Sequence, residues 1–128
     1  MKTLVVEDDP EARKALRLIL QLDGFDVSTV ASGQEAIRVL QADIPELIVL
    51  DVFMPEMDGY EVCRWVRANP STAHVPVVML SGRADPDSAA RGMAAGANDF
   101  LAKPIKPSQL TRSLRAASLR AAMQAPLL

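Results

Sequence analysis

Short apolar runs alternate with amphipathic stretches along the whole chain. Five runs read as strands: Thr3–Glu7, Asp26–Ala31, Leu47–Leu50, Val75–Leu80 and Asp99–Ala102. Between them the apolar positions take helical spacing. In the first such stretch Ala12, Ala15, Leu16, Ile19 and Leu20 share one face, and Gly24 supplies the stop. Ser32 and Glu35 fit a capping box that opens a second helix, with Ala36, Ile37 and Leu40 inward. A third helix follows Gly59 and carries Val62, Cys63 and Val66. A fourth runs from about Pro86 to Ala95 and is closed by Gly96. A fifth starts near Pro107, turns Leu110, Leu114 and Ala117 inward, and continues until Pro126 stops it. Leu119 and Met123, four residues apart near its end, fall outside the core face and are read either as a partner surface or as a fraying end.

Strict alternation of strand and helix predicts an α/β fold: a five-stranded parallel sheet, doubly wound, with five helices spread over both faces. In such sheets ligands bind beyond the carboxyl ends of the strands, where strand order reverses. That edge collects Glu7 and Asp8 after the first strand, Asp51 after the third, Ser81 after the fourth and Lys103 after the fifth. Asp51 stands out, because it ends the run Leu47-Ile48-Val49-Leu50 just where a Pro-to-Gly loop begins.

The 128-residue length fits about one domain, placed at residues 1–120 with 121–128 as the end of the last helix and a tail. A 49% hydrophobic fraction supplies a core, but aromatics are only 4%, so Val, Leu, Ile and Ala must do most of the packing. The net charge of -2 argues against a broad electrostatic grip on nucleic acid. Cys63 is the single cysteine, which excludes an internal disulfide and fits a reducing compartment. No segment is long enough to span a membrane, and Met1-Lys2-Thr3 runs straight into a strand with no signal peptide, so the expected location is the cytoplasm. His74 lies in a loop and is expected to face solvent.

Three carboxylates on one edge repel one another, and a hard divalent cation relieves that conflict. Mg²⁺ (or Mn²⁺) suits Glu7, Asp8 and Asp51 with one backbone carbonyl from the following loop. A competing reading makes Glu7-Asp8 a helix-capping pair; Asp9, next to Pro10, is assigned to the cap. A carboxylate such as Asp51 can also attack phosphorus to give an acyl phosphate, provided the transferring charge is neutralised. Lys103 would supply a cation, Ser81 a hydroxyl, and Gly82 a backbone amide open to close approach. Lys103-Pro104 is a candidate cis peptide.

These motifs, taken together, resemble the receiver domain of response regulators in two-component signalling. The resemblance runs from Thr3 to about Leu119 and rests on Leu4-Val5-Val6-Glu7-Asp8-Asp9, Asp51 with Met54-Pro55-Glu56-Met57-Asp58-Gly59, Leu80-Ser81-Gly82, and Ala95 through Pro104. It implies strand order 2-1-3-4-5. It implies that Asp51 is the phosphoacceptor, that Glu7 and Asp8 bind metal with the Phe53 carbonyl, and that Lys103 contacts phosphate. Ser81 matches the switch hydroxyl and Phe100 the aromatic that changes rotamer, so that the surface of the fourth helix, fifth strand and fifth helix alters on phosphorylation.

Phe53 and Arg83 are expected to border the phosphoryl group, the first hindering water and the second adding counter-charge, which predicts slow autodephosphorylation. The implied donor is a histidine kinase or phosphotransfer protein. The implied output is a partner or a further domain, with a phosphorylation-linked homodimer also open. The alternative, a Mg²⁺-dependent phosphohydrolase with an aspartate nucleophile, needs a second Asp two residues later, where this chain has Phe53. A flavin-binding domain needs a hydroxyl-rich first loop, and Glu7-Asp8-Asp9-Pro10 would repel phosphate. A receiver-like module that is never phosphorylated is disfavoured by the complete set of pocket residues.

Overall fold

The computed structural model describes residues 1–83 and 85–124. Strands and helices alternate without exception: β1 (Lys2–Val6), α1 (Pro10–Leu22), β2 (Asp26–Val30), α2 (Gly33–Ala42), β3 (Leu47–Asp51), α3 (Gly59–Ala68), β4 (Val77–Ser81), α4 (Pro86–Ala95), β5 (Asp99–Ala102) and α5 (Pro107–Gln124). All neighbouring strands are parallel, in the order β2-β1-β3-β4-β5.

The period-two alternation of side chains sorts each strand between two cores. Leu4, Val6, Ile48, Leu50, Val77 and Met79 face α2, α3 and α4, where they meet Ala36, Leu40, Val62, Cys63 and Val66. Val5, Leu47, Val49, Val78, Leu80 and Leu101 face α1 and α5, against Leu16, Leu20, Leu110, Leu114 and Ala117. The central strand β3 is therefore buried along its whole length, which explains why it reads as a continuous apolar run.

Helix starts are fixed by short acids. Asp9 caps α1, its Oδ2 accepting from the Ala12 amide at 3.0 Å, with Pro10 at the first helical position. Asp58 and Glu61 form a reciprocal capping box on α3. The Ser32–Glu35 box on α2 is only half formed: Ser32 Oγ accepts from the Glu35 amide, but Glu35 Oε2 accepts from Ala31 rather than from Ser32. Other expectations shift by a residue or two. Pro76 has no amide hydrogen, and β4 begins after it, at Val77 rather than Val75. On α1, Leu16 and Leu20 are buried, whereas Ala15 is exposed and Ala12 and Ile19 are half-buried, because the helix leans over a groove towards α5. Ile37 is half-buried at the edge of the α2 face. Leu119 and Met123 are exposed on α5, which continues unbroken past residue 120; the expected stop at Pro126 lies outside the described residues.

Candidate functional site

β1 and β3 are neighbours whose onward connections leave to opposite sides, so the crevice beyond their carboxyl ends is left open. Asp51 is the last residue of β3 and Glu7 follows β1 directly. One carboxylate oxygen from each of Glu7, Asp8 and Asp51 lies within 4.8 Å of the others. Glu7 is 1% exposed and Asp51 5%, while Asp8 is half-buried. Lys103, just past β5, reaches into the group: its Nζ is 2.7 Å from Glu7 Oε1 and 3.0 Å from Asp51 Oδ1. The Lys103 amide also donates to the Ser81 carbonyl at 2.7 Å, which aligns the ends of β4 and β5.

The electrostatics are unresolved in an instructive way. Burial pushes the Asp51 carboxyl up to about 6; the Lys103 bond opposes this and the Glu7 charge adds to it. Burial works against the Lys103 ammonium, but its bonds to Glu7 and Asp51 outweigh burial and raise its affinity for the proton. Glu7 and Asp51 share the Lys103 ammonium, and Asp8 adds a third carboxylate, so the site carries an excess of negative charge. That donor set fits a hard divalent cation with oxygen preference.

The remaining candidates surround this cluster. Ser81 is fully buried, and its Oγ accepts from the Arg83 amide at 3.0 Å. Gly82 is exposed, and a Cβ built there would meet no atom within 4 Å, so packing within the protein does not demand glycine. Phe53 is 45% exposed, and the Arg83 guanidinium stacks over its ring at 5.2 Å from the centroid. Phe100 is half-buried against α4, where a Cβ on Gly92 would come within 2.7 Å of its Cδ2. The Lys103–Pro104 peptide bond is cis.

Several residues support the site in ways their sequence positions did not reveal. Gly59 lies so close to the end of β3 that a Cβ would fall 2.5 Å from the Asp51 carbonyl, and its amide donates to Val52 at 2.8 Å. The Asp58-Gly59 pair is a turn signal, yet only the fold reveals what the glycine touches. Tyr60 Oη donates to the Ser88 carbonyl at 3.0 Å and carries the Arg91 guanidinium on its ring, tying α3 to α4. Arg13 on α1 binds the backbone of the acid pair.

Comparison with known proteins agrees with this geometry. Residues 3–115 match the family model of the response regulator receiver domain. The chain is 38% identical over 120 residues to the phosphate regulon transcriptional regulatory protein PhoB of Rhizobium meliloti (strain 1021), covering 94% of this chain and 53% of that protein. It is 40% identical over 113 residues to the transcriptional regulatory protein AfsQ1 of Streptomyces coelicolor (strain ATCC BAA-471 / A3(2) / M145), covering 88% and 49% respectively. The chain thus spans about half the length of these curated relatives. A crystal structure of a putative response regulator from Chloroflexus aurantiacus J-10-fl superposes with a TM-score of 0.88 at 36% identity, covering 93% of this chain and 98% of that one. With the fold, the strand-end acids and the family match in agreement, the chain belongs to the response regulator receiver domain family.

Proposed function

We propose that this domain is a phosphoacceptor switch that receives a phosphoryl group on Asp51. The observation that carries the reading is the meeting of Glu7, Asp8, Asp51 and Lys103 at one strand edge. In the proposed step an Asp51 carboxylate oxygen forms a bond to phosphorus while the P–N bond of a phosphohistidine donor breaks. The electron pair of that bond stays with the leaving imidazole nitrogen. The donor is a histidine kinase or phosphotransfer protein, and small phosphodonors would serve in its place.

Glu7, Asp8, Asp51 and the Phe53 backbone carbonyl would hold Mg²⁺ or Mn²⁺. When bound, the ion neutralises charge on the transferring phosphoryl oxygens. Lys103 contacts the phosphoryl group from the β5 side, and Ser81 Oγ and the Gly82 amide donate to it. Ser81 Oγ now accepts from the Arg83 amide, which leaves its hydroxyl hydrogen free to donate to a phosphoryl oxygen. Moving that loop frees space towards which the Phe100 ring turns, and the surface formed by α4, β5 and α5 then selects a partner, a further domain or a second copy of the chain. Phe53 and Arg83, already stacked, shield the acyl phosphate and slow its hydrolysis. Apart from that self-directed chemistry the domain turns over no substrate. We assign it to residues 1–120 and to the cytoplasm; no described helix is long and apolar enough to cross a membrane.

The test is incubation with a small phosphodonor and Mg²⁺, read by intact mass. A single phosphoryl gain, lost in Asp51→Asn and lost with a chelator, is expected. Gain that persists in either case would overturn the reading.

A further inference from the structure

Arg13 sits in the first turns of α1 and points back at the loop joining β1 to the helix. Its Nη1 donates to the Glu7 carbonyl at 3.0 Å and to the Asp8 carbonyl at 3.3 Å. Those are the two residues whose carboxylates join Asp51. Glu7 has two further long-range ties, its amide donating to the Val30 carbonyl at 3.2 Å and its Oε1 accepting from Lys103 Nζ at 2.7 Å, whereas Asp8 has neither. Within the loop the Asp9 amide donates to Glu7 Oε2 at 3.3 Å, and the Asp9 carboxylate is spent on capping α1. Arg13 is half-buried, and its guanidinium reaches the acid pair through backbone oxygens, with no ion pair to the Glu7 or Asp8 carboxylate among the described residues.

We infer that Arg13 is a positioning residue for the divalent site: by fastening the Glu7 and Asp8 carbonyls to α1, it holds the two carboxylates where they converge with Asp51. This rests on the metal reading given above. Two effects of Arg13 on a bound cation oppose each other, and their signs separate them. As a bare positive charge it repels a divalent ion, so removing it would tighten binding. As a clamp it spares the loop the entropy of being ordered when metal arrives, so removing it would weaken binding. The clamp should win, because a guanidinium engaged with two carbonyls is partly screened from the site, whereas Asp8, which has neither of the long-range ties that hold Glu7, loses its place on the loop. Partners that orient metal ligands commonly matter by about 10–100-fold in affinity.

The experiment is titration of the metal-free protein with Mn²⁺, following free Mn²⁺ by electron paramagnetic resonance, for wild type, Arg13→Met, Arg13→Lys and the exposed control Lys14→Met. Melting curves in chelator accompany each titration. Arg13→Met is expected to weaken Mn²⁺ binding about tenfold. Arg13→Lys should fall between it and wild type, since lysine keeps the charge but has a shorter reach. Lys14→Met should bind as wild type does. Arg13→Met binding as tightly as wild type, or more tightly, overturns the inference. So does a lowered melting temperature with unchanged Mn²⁺ affinity, the signature of a purely structural arginine. If Arg13→Met does not fold, Arg13→Lys decides, and wild-type affinity in that variant overturns the inference. Failure of the wild type itself to bind Mn²⁺ would instead remove the metal reading, and the role of Arg13 with it.

Discussion

Arg67 and Asp51 are both charges drawn out of water, at opposite edges of the same sheet, and they are treated in opposite ways. Arg67, near the end of α3, donates to the carbonyls of Ala73, Val75 and Gly96 at 3.2, 2.6 and 2.9 Å and to Asn98 Oδ1 at 2.9 Å. Its partners are neutral dipoles, fixed at the amino ends of β4 and β5. Burial lowers its hold on the proton, with slight relief from Cys63, but the guanidinium stays charged and its donors are used. Asp51 has charged neighbours instead: a second carboxylate that repels it and an ammonium shared between the two. A buried charge satisfied by neutral groups stitches a fold together. A buried charge left in conflict is a site waiting for a ligand.

Substitutions at the two edges should act on stability with opposite signs. Arg67→Met should lower stability by about 2–4 kcal/mol, because three part-buried acceptors, on Val75, Gly96 and Asn98, lose a donor at once. Asp51→Asn should raise the stability of the metal-free protein at neutral pH by about 1–3 kcal/mol, because it removes a carboxylate that the fold forces towards its protonated form. Urea midpoints measure both; equal signs would dissolve the contrast between the two edges.

The same conflict fixes a pH dependence. With its folded pKa raised from 3.8 to about 6, Asp51 binds protons more tightly folded than unfolded. Its contribution to stability is thus fully present below 3.8 and is lost as pH rises through about 6. Divalent binding needs the ionised form and runs the other way. Mn²⁺ affinity at the Asp51 site should fall as pH drops through 6, by about tenfold for each unit once Asp51 is protonated. A flat profile between neutral pH and about 5, where an ordinary carboxylate has barely begun to take up protons, would show that Asp51 is not under this strain.

Phe53→Asn should speed loss of the phosphoryl group by about 3–10-fold, equivalent to roughly 1 kcal/mol of barrier. Unchanged or slower loss in a timed decay would remove its shielding role. The smallest effect belongs to the exposed end of α5, where Leu119→Ser should shift stability by less than about 0.5 kcal/mol by urea titration.

How much of this was legible in the amino-acid sequence depends on distance along the chain. Asp51 and Glu7 could be read because a buried strand leaves a continuous apolar run and the acid that ends it is adjacent in sequence. Parallel pairing then carries all such ends to one edge, so Lys103 could be grouped with them across 96 residues. Asp9 could be read as a cap because capping is local. Arg13 could not be read, since what matters is where a long side chain reaches, and helical spacing assigns it only to a polar face. Gly59 could be read as a turn residue but not as the neighbour of the Asp51 carbonyl. Arg67 hid for the same reason: its acceptors come from two separate loops, before β4 and before β5. Ala15 was misplaced because periodicity identifies an apolar stripe without showing how far the adjoining helix stands away, and α1 and α5 leave a groove there.

Hydride trapping locates the phosphoryl group on the chain. After phosphorylation with a small donor and Mg²⁺, borohydride converts an acyl phosphate on aspartate into homoserine, and tandem mass spectrometry locates it. Homoserine at position 51, absent when Mg²⁺ is withheld, is the predicted result. Homoserine at another aspartate, such as Asp8 or Asp58, or its formation at 51 without any divalent ion, would contradict the account.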